Sequence, residues 1–266
     1  MCTVVEHFVG QVAVVTGAGS GLGKAIAQGL ADHGAEVVLI GRREAKLIAT
    51  RQAIEERGGR ATAMPVDVSH PEEVAVLADN LLDRVGVPSV LVNCAGVYGQ
   101  LGPILQSDPA RYRDTLLVNT YGAYLMCRHF APGMVQMGWG RIVNVSSASS
   151  LGTPSSNESA YQTSKVALNQ FTRQLAAELE GTGVTANVFH PGEVKTDMWN
   201  VIRDQSLLRG HMQRWVRMVE ESGGDSPRKS VDLIMDLIKP GSERINGRFL
   251  WIKDGIKPPM LSWDNQ

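Results

Sequence analysis

VAVVTGAGSGLGKAIAQGLADH, residues 12–33, is the stretch whose reading decides the fold. Val12 to Thr16 is a β-branched run without polar alternation, the pattern of a strand buried on both faces. Gly17, Gly19, Gly21 and Gly23 follow, and helical periodicity then runs from Lys24 to His33. Strand, glycine turn and helix form the front of a βαβ unit, where a diphosphate sits against the helix N-terminus. Glycine suits the turn because a Cβ would keep the backbone away from phosphate oxygens. With Ser20 and Leu22 completing it, residues Gly17, Gly19, Ser20, Gly21, Leu22 and Gly23 are the candidate phosphate contacts. A plain glycine-rich loop is the bland alternative, and the position between a buried strand and a helix argues against it.

The alternation continues outward. Glu36 to Ile40 reads as a second strand ending in Gly41-Arg42-Arg43, and Ala45 to Arg57 as a helix. In dinucleotide folds an acid about 20 residues beyond the glycines grips the ribose of NAD, and an arginine there receives the 2′-phosphate of NADP. Here Arg42 comes before any acid, so the residues favour NADP(H), with NAD(H) as the alternative. Ala61 to Val66, Pro88 to Val92, Arg141 to Val145, Val184 to Phe189 and Phe249 to Ile252 supply five more strands. A helix is expected from Pro71, another over 109–137, and another from Tyr161 to Glu180. Strands alternating with helices define an α/β protein built on one parallel sheet of about seven strands. Ligands of such sheets lie outside the carboxyl ends of the strands. The glycine turn, Asp67, Asn93, Ser147 and Pro191-Gly192 all follow strand ends and therefore converge on one edge.

The chemistry is written in RIVNVSSASSLGTPSSNESAYQTSK, residues 141–165. Tyr161 and Lys165 are four apart at a helix start, so both side chains fall on one face. A phenol titrates near pH 10 when free, and an ammonium one turn away favours the phenolate. Ser147, at the strand end, would hold a substrate oxygen against the tyrosine. That is a proton-transfer device for an alcohol or a carbonyl. Asn119, amid LLVNTYGAYLM, needs partners for its amide. Either it makes a core hydrogen bond to backbone, or it marks a kink that holds a water or the catalytic lysine.

Composition excludes other classes. A net charge of -1 leaves no footprint for nucleic acid or an anionic membrane. Cys2, Cys94 and Cys127 have no metal or disulfide spacing and fit reduced thiols in a cytoplasmic protein. No metal motif, signal peptide or membrane-length apolar run is present in the sequence.

Taken together, TGAGSGLG at 16–23, NCAG at 93–96, Asn119, Ser147, YQTSK at 161–165 and HPGEVKT at 190–196 resemble the short-chain dehydrogenase/reductase family. The likeness covers about residues 10–255, nearly the whole chain. It implies a Rossmann-like, doubly wound single domain over 1–266 that binds a nicotinamide cofactor and assembles as a homodimer or homotetramer. It also implies roles: Tyr161 as general acid/base, Lys165 on its pKa and on the nicotinamide ribose, Ser147 on the substrate oxygen, and Asn119 on a relay water. By the same likeness Asp67 and Val68 meet the adenine, and Asn93, Ala95 and Gly96 border it. Pro191, Gly192, Val194 and Thr196 would hold the carboxamide.

There are departures from the family pattern. The family serine stands thirteen residues before the tyrosine, whereas Ser147 stands fourteen before. Ser146 and Ser149 are the alternatives. His190 replaces a small polar residue and is expected to pack. The segment 197–224 occupies the place of the family's substrate lid, and its apolar residues point to a fairly hydrophobic substrate. The tail KPPMLSWDNQ, 257–266, reads as a loose end or as a segment docked on a neighbouring subunit. The expected activity is hydride exchange between NADP(H) and a secondary alcohol or ketone. A non-catalytic dinucleotide sensor or scaffold is the rival from another class. A sugar-nucleotide epimerase lacks room here for its larger substrate domain, and a methyltransferase leaves Tyr161 and Lys165 unexplained.

Overall fold

The computed structural model describes residues 8, 10–152, 156–210 and 212–252. Cys2 and the tail 257–266 lie outside the described residues. The strands are β1 (Val12–Thr16), β2 (Glu36–Gly41), β3 (Arg60–Pro65), β4 (Val90–Asn93), β5 (Gly140–Val145), β6 (Val184–His190) and β7 (Phe249–Trp251). They form a parallel sheet in the order β3-β2-β1-β4-β5-β6-β7. From β1 the chain winds outward through β2 to β3 and then returns to start β4 on the other side of β1. The crevice between β1 and β4 is therefore the switch point of a doubly wound sheet.

Alternate side chains of each strand enter opposite faces, so each buried strand feeds two cores. Val15, Leu39, Val92 and Val143 face one core, which α1 (Gly21–Asp32), α2 (Glu44–Glu55) and α9 (Arg228–Ile238) complete with Ile26, Leu30, Leu47 and Ile234. Val14, Val38, Leu91 and Ile142 face the other. There α3 (Pro71–Val85) and α5 (Gly122–Met137) contribute Leu77, Leu81, Met126 and Phe130. The remaining helices are α4 (Pro109–Leu116), α6 (Ser159–Glu178), α7 (Asp197–Arg209) and α8 (Gln213–Ser222). None of the described helices is long and apolar enough to cross a membrane.

Two features correct the sequence reading. The helix expected over 109–137 is continuous but not uniform: α4 passes into a π-helical turn, Leu117–Tyr121, before α5. Such turns cluster at functional sites because they displace a side chain from the regular register. Here the displaced side chain is the buried Asn119. The second feature is α9, which the sequence analysis did not foresee. Its signal was present, with Pro227 before it and Val231, Ile234, Leu237 and Ile238 on one buried stripe.

Helix α9 lies so close to α1 that a Cβ on Gly29 would stand 2.5 Å from Val231 Cγ1. A β-branched side chain cannot swing away from that intrusion, so overpacking should cost about 1–3 kcal/mol. Gly29→Ala is therefore expected to lower the thermal midpoint, and Val231→Ala in the same chain to recover most of the loss. Additive effects of the two substitutions in thermal unfolding would contradict this packing.

Candidate active site

The site is assembled at the carboxyl ends of the strands. At the end of β1, Thr16 Oγ1 accepts hydrogen bonds from Cys94 N (3.0 Å) and Ala95 N (2.9 Å), tying the glycine turn to the end of β4. The approach is tight: a Cβ on Gly17 would lie 3.0 Å from Ala95, and Gly17 and Gly21 both have positive φ. No side chain fits at Gly23 either, because its Cβ would collide with the Gly17 carbonyl. The turn thus presents bare backbone at the start of α1.

At the end of β2, Arg42 and Arg43 border the same cavity. Arg42 Nη1 stands 3.7 Å from Asp67 Oδ2, at the end of β3. Arg43 Nη2 donates to Ser20 Oγ in the glycine turn at 2.9 Å. Burial works to raise the Asp67 carboxyl, but hydrogen bonds from Ser69, with Arg42 and His70 nearby, hold it below its ordinary range.

At the other end, Tyr161 lies in the first turn of α6, hydrogen-bonded to Ser147. Ser147 is thus the partner, and the fourteen-residue spacing is accommodated. Ser146 is turned away and buried against Asn169 Oδ1 at 2.5 Å. Ser149 Oγ lies 3.0 Å from Ser147 Oγ and lines the cavity beside it. Lys165 is 5% exposed, with Nζ donating to the Val145 carbonyl at 2.8 Å and standing 5.7 Å from the Tyr161 ring centroid. Burial pulls this ammonium down to about 8. Burial also pushes the Tyr161 phenol up to about 12; the Ser147 bond opposes that rise, while Glu158 and Glu193 add to it. The expected lowering of the tyrosine by its lysine is therefore not what this arrangement gives. Desolvation of the phenolate dominates, and the ammonium is committed to a carbonyl.

One cavity of about 1070 Å³ runs from Arg42 to Tyr161, ample for a dinucleotide and a small substrate. Every predicted site residue lines it except Asn93 and Asn119. Asn93 is turned inward, with Nδ2 on Asn144 Oδ1 at 2.8 Å, and does not border the adenine end. The Asn119 amide is spent on the backbone of Val97, through Val97 N (2.8 Å) and O (2.9 Å), and on Ser164 Oγ (2.9 Å). Asn119 thus makes the core hydrogen bonds to backbone, and it does so at the π-helical turn that interrupts the helix. His190, 8% exposed, packs edge-on against Trp251 with centroids 5.0 Å apart, as expected.

The segment 197–224, expected as a lid, forms α7 and α8. Met198, Ile202, Met212 and Trp215 pack with Tyr98 and Leu101 around Tyr161. Val201, Leu207, Leu208 and Met218, read as part of the same apolar surface, are exposed. Sequence reasoning missed Tyr98 and Glu158, and named Arg42 but not Arg43 as a cofactor contact. Nothing in local periodicity marks the first two. For Arg43, the adjacent Arg42 was the available signal.

A family model described as short chain dehydrogenase matches residues 11–207. The chain is 40% identical over 253 residues to the short-chain reductase protein NovJ of Streptomyces niveus, covering 93% of this chain and 94% of that one. Coverage of other relatives falls as low as 32% of their length. The solved L-sorbose reductase of Gluconobacter frateurii, complexed with NADPH and L-sorbose, is 26% identical and superposes with a TM-score of 0.81 over 95% of this chain and 97% of that one. An NAD+-bound xylitol dehydrogenase, also 26% identical, gives 0.85 over 92% and 98%. The chain belongs to the short-chain dehydrogenase/reductase family, the class that its parallel sheet and strand-end site define. It is accordingly an oxidoreductase of alcohol and ketone groups.

Burying the Lys165 ammonium costs stability while it is charged. Because its folded pKa is below the unfolded one, wild-type stability should rise with pH between about 8 and 10.5, where the unfolded chain holds more protons. Lys165→Met should therefore unfold at a higher temperature than wild type at neutral pH, with the advantage shrinking as the pH climbs through that window. A constant difference across the window would contradict the assignment.

Proposed function

We propose that the chain is an NADP(H)-dependent oxidoreductase that interconverts a secondary alcohol and a ketone, with a fairly hydrophobic substrate. The observation that carries this reading is the single cavity that joins Ser147, Tyr161 and the buried Lys165 to a glycine turn flanked by two arginines. The residues present fit a dinucleotide. The cradle at Gly17 and Gly23 is one that any Cβ would fill, and the start of α1 offers backbone N–H groups to a diphosphate. Arg42 and Arg43 supply paired guanidinium groups for a 2′-phosphate. Gly96, whose Cβ would stand 3.8 Å from Lys165 Nζ, Pro191, Gly192, Val194 and Thr196 enclose the end beside Tyr161. When bound, the nicotinamide supplies or accepts the hydride.

The chain's own residues do the rest. Ser147 donates to the substrate oxygen and holds it against the Tyr161 hydroxyl. Tyr161 gives the alcohol its proton in reduction and takes it in oxidation. Lys165, its ammonium held on the Val145 carbonyl 5.7 Å from the Tyr161 ring centroid, places a positive charge beside that exchange. The lid residues Met198, Ile202 and Trp215 exclude water from the reacting centre. Their apolar surface supports the hydrophobic substrate.

An NAD(H) preference has one observation in its favour, the ion pair that draws Arg42 towards Asp67. Cys94 and Cys127 are free thiols, both pushed up to about 12 by burial, which supports a protein of the reducing cytoplasm. A stacked, exposed pair, Tyr121 and Tyr124, beside Phe171 supports the homodimer or homotetramer.

NADPH should bind more tightly than NADH, and Arg42→Ala or Arg43→Ala should weaken NADPH by roughly tenfold or more while leaving NADH nearly unchanged. Fluorescence titration reads this directly, and equal binding of the two cofactors would remove the NADP assignment. In a panel of apolar ketones, Tyr161→Phe should cut kcat by roughly 10²–10⁴ without changing NADPH affinity. A variant as active as wild type would instead support the sensor or scaffold.

A further inference from the structure

Tyr98 and Glu158 lie outside every role described so far, and both are almost fully buried against Tyr161. Tyr98 is 8% exposed and Glu158 5%. The Tyr98 ring stacks on that of Tyr161 with centroids 4.5 Å apart and planes inclined by 26°. Its hydroxyl donates to Glu158 Oε2 at 2.6 Å, a short, charge-assisted bond. Glu158 directly precedes α6, and its side chain makes no capping bond to that helix. It is directed at Tyr98 instead.

The placement is built from several sides. Asn119, displaced by the π turn, pins both backbone groups of Val97, the residue before Tyr98. The same amide reaches Ser164 Oγ, which in turn donates to the Tyr161 carbonyl at 2.6 Å. Gly102 N donates to the Asn157 carbonyl at 2.9 Å, joining the Tyr98 loop to the Glu158 loop. Three segments are thus fastened together so that one aromatic face lies flat on another.

We propose that Tyr98 and Glu158 form a positioning pair: the stacked ring fixes the plane of Tyr161, and the carboxylate sets the pH range over which the Tyr161 hydroxyl exchanges its proton. The proposal rests on the reading of Tyr161 as the proton donor. Burial and the adjacent carboxylate keep the Tyr98 phenol protonated, far above its ordinary range, so it serves as donor to Glu158 and does not compete as a base. Among the described residues, the other titratable groups acting on Tyr161 are Lys165 on α6, Glu193 after β6 and Cys94 after β4, while Met198, Ile202, Met212 and Trp215 packed on it are apolar. The Glu158 carboxylate opposes the phenolate, as does Glu193.

Glu158→Gln keeps the volume and an acceptor for the Tyr98 hydroxyl and removes the charge. The pH profile of kcat/KM is measured at saturating cofactor with the ketone that the panel identifies and with its alcohol. The limb that Tyr161 controls should move down by roughly 1 pH unit, with NADPH affinity unchanged. Tyr98→Phe keeps the stack and loses the bond, and Tyr98→Ala loses both; kcat should fall severalfold in the first and further in the second at constant NADPH affinity. A limb unmoved in Glu158→Gln would overturn the proposal. If that variant does not bind NADPH, a kcat unchanged in Tyr98→Phe would overturn it equally. Turnover that survives Tyr161→Phe would instead mark failure of the underlying reading.

Discussion

The Thr16 hydroxyl, accepting from Cys94 N and Ala95 N, joins the strand ends on the two sides of the switch point. It can do so only because Gly17 brings no Cβ against Ala95. That contact sets the width of the crevice between the glycine turn and the end of β4. The start of α1, the two arginines after β2 and the Asp67 turn after β3 all take their places relative to it. On the far side, β5 and β6 bring Ser147 and the Pro191-Gly192 turn to the same edge. One parallel sheet with a reversal in strand order is enough to gather the glycine turn, Ser147, Tyr161 and Lys165 into one cavity.

The chemistry needs groups that the fold would otherwise keep in water. Lys165 is an ammonium almost without exposure, and Tyr161 is a phenol whose ionised form is strongly disfavoured by burial. Both are held by partners that leave their working atoms at the cavity wall: the Val145 carbonyl for the lysine, Ser147 and the Tyr98 ring for the tyrosine. Such burial costs stability and gains control over where charge can appear. Helices α7 and α8 add apolar cover around Tyr161 through Met198, Ile202, Met212 and Trp215.

The strands were legible because a buried parallel strand is a plain apolar run, and β1 begins and ends where its sequence pattern does. The glycine turn, Ser147, Tyr161 and Lys165 were expected at one edge and line one cavity, because position at a strand end or helix start fixes where a side chain falls. Partners across elements were not legible. The partners of Asn93 and Asn119, Asn144 and the Val97 backbone, are distant in sequence. Tyr98 and Glu158 carry no local pattern, and only folding brings them together across 60 residues. Helix α9 was missed although its apolar stripe was readable, because short amphipathic runs after a lid resemble the lid itself.

The most direct measurement is a crystal structure of the chain grown with NADPH. The account predicts the diphosphate on the Gly17–Gly23 turn, the 2′-phosphate between Arg42 and Arg43, and the nicotinamide beside Tyr161 and Lys165. A dinucleotide lying elsewhere, or one whose ribose turns from the two arginines towards Asp67, would contradict it.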